Sequence, residues 1–91
     1  MNTSPRTGIF IVDDLPTMRD RLRELVAEID GVEIVGDAGT PGEAIEGILR
    51  THPDCVLLDY QLEGGTGVDV LRAVHPQSPD IAFIVLTNHA T

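Results

Sequence analysis

Four short apolar runs punctuate the chain, and the stretches between them switch to a different spacing. Ile9-Phe10-Ile11-Val12 and Cys55-Val56-Leu57-Leu58 are almost purely apolar. Such runs are the habit of strands buried on both faces of a parallel sheet. A first strand is expected over Gly8 to Val12, a second over Val32 to Ala38, a third from Cys55 to Leu58 and a fourth over Ile81 to Leu86. After the first run, Met18, Leu22, Leu25, Val26 and Ile29 recur at helical spacing, with Arg19, Asp20, Arg21, Arg23, Glu24 and Glu28 on the other faces. This predicts an amphipathic helix that starts near Pro16, ends at Asp30-Gly31 and buries a Met18–Leu22–Val26 stripe. A second helix carries Ala44, Ile45, Ile48 and Leu49 inward. Thr40-Pro41-Gly42-Glu43 fits a capping box at its start, and His52-Pro53 stops it. Tyr60 to Gly67 is expected as a loop, and a third helix runs from about Val68 to Val74. Strands alternating with helices of this length imply a parallel sheet with right-handed crossovers.

Chemistry enters with the residues that close two of the runs. Asp13 and Asp14 follow the first strand directly, and Asp59 follows the third. In open α/β sheets, ligands bind beyond the carboxyl ends of the strands. If those strands are neighbours, three carboxylates meet at one edge. Like charges that close raise each other's pKa unless a cation neutralises them, and a divalent metal with oxygen ligands does so.

Charge and composition narrow the partners. The net charge of −9 opposes contact with nucleic-acid phosphates or an anionic membrane surface by this segment, and all six cations are Arg. The chain of 91 residues suits one small domain: a disordered lead-in over residues 1–7, then a folded unit over 8–91. The single cysteine, Cys55, lies in an apolar run and is expected to be a buried, inert thiol. No signal peptide or run of ~18 apolar residues is visible, which makes the cytoplasm the default location.

Simpler roles exist for each residue taken alone. Acidic residues after strands often cap helices, and the glycines at 64, 65 and 67 suit turns better than a dinucleotide cradle. His52, His75 and His89 lack metal-ligand spacing and suit surface or connector positions. The acidic set as a whole, closing strands in order, favours a site.

Taken in order, these motifs resemble the receiver domain of bacterial two-component response regulators. The matching residues are Val12-Asp13-Asp14, then Leu57-Leu58-Asp59-Tyr60-Gln61-Leu62 with Gly64 and Gly67, and Leu86-Thr87; the resemblance covers residues 8 to 91. It implies a flavodoxin-like, doubly wound parallel sheet of order 2-1-3-4 in three α/β/α layers, lacking the family's last α-β-α. It implies that Asp59 accepts a phosphoryl group, and that Asp13, Asp14 and Asp59 hold Mg²⁺ (or Mn²⁺) with the backbone carbonyl of Gln61. Thr87 matches the hydroxyl that answers phosphorylation. The implied donor is a sensor histidine kinase or histidine phosphotransfer protein, and the output is a change in protein–protein contacts. Such a domain is a regulatory phosphoacceptor rather than an enzyme, catalysing at most its own phosphorylation and dephosphorylation.

The chain also departs from the family pattern. The family binds the phosphoryl group with a lysine at the end of a fifth strand; this sequence has no lysine. Glu63 stands where proline is common, and Asn88 where a small residue is common. The missing lysine and fifth strand predict a fragment whose fourth strand is an apolar edge, completed by further chain or by swapping in a homodimer. An effector domain beyond residue 91 would carry any contact with DNA. Two rivals stand beside the phosphoacceptor: a non-phosphorylated pseudo-receiver that only binds partners, and a phosphatase with an aspartate nucleophile. The latter lacks an Asp-x-Asp pair.

Overall fold

The computed structural model describes residues 6–86. Thr87, Asn88 and His89 lie outside them. The elements run in the order β1 (Thr7–Val12), α1 (Pro16–Ala27), β2 (Val32–Ala38), α2 (Pro41–Thr51), β3 (Cys55–Asp59), β4 (Gln61–Leu62), β5 (Gly65–Thr66), α3 (Gly67–Val74) and β6 (Ala82–Leu86). Four strands form a parallel sheet of order β2-β1-β3-β6. This is the expected 2-1-3-4 order, with β6 as the fourth strand. β1 begins at Thr7, one residue earlier than the spacing suggested. The expected loop contains the antiparallel pair β4–β5, whose two-residue strands are too short for periodicity to register.

Alternation along β1 explains the layers. Successive strand side chains point to opposite faces. Phe10 and Val12 join Ala44 and Ile48 of α2 and Val70 and Val74 of α3 in the main core. Ile11, fully buried, points to the face where α1 packs. Helices therefore cover both faces, as in the flavodoxin-like fold.

The α1 stripe is a correction. Val26 is buried and Leu22 half-buried, but Met18, Leu25 and Ile29 are exposed, the last two more than half. Helix periodicity reports which residues share a face, and it is silent on whether a neighbour covers that face. α1 packs on β1 and β2, so only part of its apolar surface meets the sheet among the described residues. Among the described residues β6 lies at the sheet edge with Ile84, Val85 and Leu86 exposed, an apolar edge of the kind expected.

The caps also differ in detail. Thr40 caps α2, its hydroxyl accepting from Glu43 N–H at 3.3 Å. The full reciprocal box forms at α3 instead, where Thr66 accepts from Asp69 N–H and Asp69 accepts from Thr66 N–H. α2 ends on His52 in the left-handed region at φ 49°, a conformation that usually selects Gly or Asn at a helix end. His52 and His75 are exposed at helix exits, as their place before proline suggested.

Candidate functional site

Strand pairing brings the acidic residues together. β1 and β3 are parallel neighbours with Val12 opposite Leu58, so the residues that follow, Asp13 and Asp59, emerge side by side at the carboxyl edge. Asp13 extends the ladder one step, its N–H donating to Ala38 C=O at 3.1 Å. Its side chain is the one buried charged group among the described residues, 6% exposed, and Oδ1 accepts the N–H of Leu15 at 2.9 Å. Asp14, one residue further, has left the strand. Adjacent residues on a strand would face opposite ways, but the chain bends here, and Asp14 turns to the same site. It does not cap α1: the N-cap is Leu15, without a side-chain bond.

One carboxylate oxygen each from Asp13, Asp14 and Asp59 lie within 4.8 Å of one another. Burial raises the Asp59 pKa above its ordinary 3.8; the charges of Asp13 and Asp14 push it the same way, against hydrogen bonds from the Gln61 and Tyr60 amides. The Gln61 N–H donates to Asp59 Oδ1 at 3.3 Å. Asp14, Tyr60, Gln61, Leu62, Glu63 and Thr66 line an open depression beside the cluster. Glu63 therefore brings its negative charge to the rim of the site.

The donor set fits a hard divalent cation. Oxygens around Mg²⁺ with bonds of about 2.0–2.1 Å sit roughly 3–4 Å apart, so a small inward movement of the three carboxylates would bring them into range. Their number and charge suit such an ion better than a soft metal.

Two residues take parts here that the sequence did not assign them: Gly67, read as a turn glycine of the Asp59 motif, and Arg19. Gly67 passes directly over the third strand: a Cβ there would lie 2.4 Å from the Asp59 carbonyl oxygen and 2.9 Å from Leu58 Cγ. Its N–H donates to Tyr60 C=O at 2.7 Å, closing the loop. Gly67→Ala is expected to cost about 1–3 kcal/mol through overpacking against backbone that cannot yield; a lowered urea midpoint with an unchanged slope checks it. A glycine opening a helix carries no signal of what crosses it. The second residue is Arg19, placed on a solvent face by periodicity, which instead reaches the Asp13 carbonyl.

Cys55 is half-buried on β3 rather than buried as its apolar run suggested, because alternate positions of this strand are incompletely covered. Burial, and after it the charge of Asp54, push its thiol pKa up. Alkylation by iodoacetamide at neutral pH should therefore run slower than for a free cysteine peptide, and a faster reaction would contradict this setting.

The family model of the response regulator receiver domain matches residues 9–91. The chain belongs to this family. Among its relatives are the nitrate/nitrite response regulator protein NarP of Escherichia coli, 37% identical over 79 residues, and a nitrate/nitrite response regulator protein homolog of Haemophilus influenzae, 33% identical over 79 residues. These alignments cover 87% of this chain but 37% and 38% of the relatives, so the chain spans less than two-fifths of their length. Among solved structures, a LuxR-family response regulator from Aurantimonas superposes with a TM-score of 0.87 at 29% identity, over 93% of this chain and 61% of that one. The receiver domain of Erythrobacter litoralis PhyR gives 0.81 at 32% identity, over 91% and 64%. The chain is thus a response regulator receiver domain of a two-component system. No helix among the described residues is long and apolar enough to cross a membrane.

Proposed function

We propose that this receiver domain accepts a phosphoryl group on Asp59 from the phosphohistidine of a sensor kinase or histidine phosphotransfer protein. The observation that carries this reading is the convergence of three carboxylates from two neighbouring strands within 4.8 Å. An Asp59 carboxylate oxygen attacks phosphorus, the bond to the imidazole nitrogen breaks, and that nitrogen keeps the electron pair. The product is an acyl phosphate. Asp13 and Asp14, with Asp59 and the Gln61 carbonyl, hold Mg²⁺, whose charge offsets repulsion between the carboxylate and the phosphoryl oxygens. Asp13 is pinned by the ladder and by Leu15 N–H, so one ligand is oriented before any ion arrives. Asp59 lies opposite Leu86 in the β3–β6 register, and Tyr60 N–H donates to Leu86 C=O at 3.0 Å. This supports Thr87, the next residue, as the hydroxyl that answers the new charge and passes it to the surrounding surface.

Residues 8–91 act in this reading as one regulatory receiver unit in the cytoplasm, with its output exerted through contacts with an effector. Treatment with acetyl phosphate and Mg²⁺ should add ~80 Da to the protein, labile to acid and base, and peptide mapping should place it on Asp59. The rival reading is a pseudo-receiver that binds partners without phosphorylation. No adduct under any donor would select it.

Metal binding gives an independent check. Mutual repulsion of the carboxylates falls when a cation binds the native state alone. With free Mg²⁺ tenfold above its Kd, the fold should gain about 1.4 kcal/mol, or roughly 5–10 °C in Tm for a domain this small. An unchanged Tm across a millimolar Mg²⁺ titration would count against the site.

A further inference from the structure

Arg19 ties three segments together behind the acidic cluster. Its Nη1 donates to the main-chain carbonyl of Asp13 at 2.6 Å, and its Nε lies 3.4 Å from Oδ1 of Asp37 near the end of β2. Arg23, one turn further along α1, holds the other oxygen of Asp37. The guanidinium occupies the space above Gly39, where a Cβ would stand 2.8 Å from Nη1. The side chain is only 21% exposed.

We propose that Arg19 is a positioning residue for the metal site, clamping the Asp13–Asp14 peptide to the end of β2. The proposal rests on the metal reading given above. Beyond the bond from Asp13 N–H to Ala38, this peptide has left the sheet ladder. Rotation of the Asp13 carbonyl would swing the exposed Asp14 away from Asp59. A planar guanidinium can hold a carbonyl and a carboxylate at once, which an ammonium on a flexible stem does poorly. Groups that orient ligands from behind set metal affinity by about 10–100-fold. Gly39 belongs to the same device, since any side chain there displaces the cation.

Mn²⁺ affinity of the full chain, read from the free-ion EPR signal, tests this alongside amide exchange in metal-free protein. Arg19→Ala is expected to weaken Mn²⁺ binding about tenfold, Arg19→Lys to fail to restore it, and Gly39→Ala to weaken it in the same direction. Exchange of the Leu15 amide, which donates to Asp13 Oδ1, should quicken in Arg19→Ala without any metal. Parent-like affinity and exchange in Arg19→Ala overturn the clamp, as does complete rescue by lysine, which would leave charge alone as the cause. If the unaltered chain binds no Mn²⁺ yet Leu15 exchange quickens, the clamp stands as a loop device and the metal reading falls. The lysine and Gly39 variants retain the test if the alanine variant does not fold.

Discussion

Asp59→Asn is expected to abolish the phosphoryl adduct while making the metal-free fold more stable at neutral pH. The first effect follows from chemistry: an amide oxygen cannot replace the attacking carboxylate, so the ~80 Da species should disappear. The second follows from electrostatics. Burial, then the nearby charges of Asp13 and Asp14, hold the Asp59 pKa above 3.8, although two backbone amides oppose them. The folded state therefore binds this proton more tightly than the unfolded chain does. The associated stability is fully present below pH 3.8, and is lost as pH rises through the raised folded value. Above that value the ionised carboxylate is a burden that asparagine lacks. The advantage of the variant should grow from nothing in acid to its full size near pH 7. Saturating Mg²⁺ should narrow the gap, because the parent offers the ion one more charged ligand. Urea titrations of both proteins at pH 3.5 and pH 7, with and without Mg²⁺, give the comparison. A variant less stable than its parent at pH 7 without metal would contradict the clustering, and an adduct that persists would move the phosphoacceptor elsewhere.

The acidic site was legible because its members close strands whose burial on both faces writes nearly unbroken apolar runs into the sequence. Once Ile9–Val12 and Cys55–Leu58 are strands, the parallel register carries Asp13 and Asp59 to one edge without further information. Features that depend on a particular neighbour were less legible. Arg19 bonds a main-chain carbonyl and a carboxylate on another strand, and periodicity registers neither. The apolar positions of α1 share faces as predicted, but spacing alone could not show that Met18, Leu25 and Ile29 stay exposed. The two capping signals illustrate the same limit. Thr40 and Glu43 match the familiar pattern and form half of it, whereas Thr66 and Asp69 form all of it with the shorter acid. Gly36 lies inside β2, where a glycine marks a bulge or a close approach. Which of the two applied, and to what, required the structure: the β1–β2 register shifts between Ile9 and Phe10, passing over Val35 to set Gly36 opposite Phe10.

That shift makes Phe10 the largest expected contributor to stability. Its ring is 2% exposed and lies against two glycines on different elements. A Cβ on Gly36 would stand 2.7 Å from its Cε2, and one on Gly47 of α2 would stand 2.7 Å from its Cζ. The ring thus locks β1, β2 and α2 together, and the adjacent glycines leave no side chains that could collapse into the space it occupies. Phe10→Ala is expected to cost about 3–5 kcal/mol, at the upper end because the cavity persists. That is a large fraction of the 5–15 kcal/mol typical of a domain. Gly47→Ala supplies a test of sign. Helix propensity alone predicts a gain of about 1 kcal/mol, whereas the clash with a ring enclosed on both sides predicts a loss of roughly 1–3 kcal/mol. The ring cannot retreat toward β2, because Gly36 already allows the closest approach. The loss should therefore prevail in Gly47→Ala, and in the Phe10→Leu background, where the volume is smaller and more flexible, the same substitution should become neutral or stabilising. A stabilising Gly47→Ala in the parent, measured by urea midpoint at constant slope, would show that the ring has room to move and would lower the expected cost of Phe10→Ala with it.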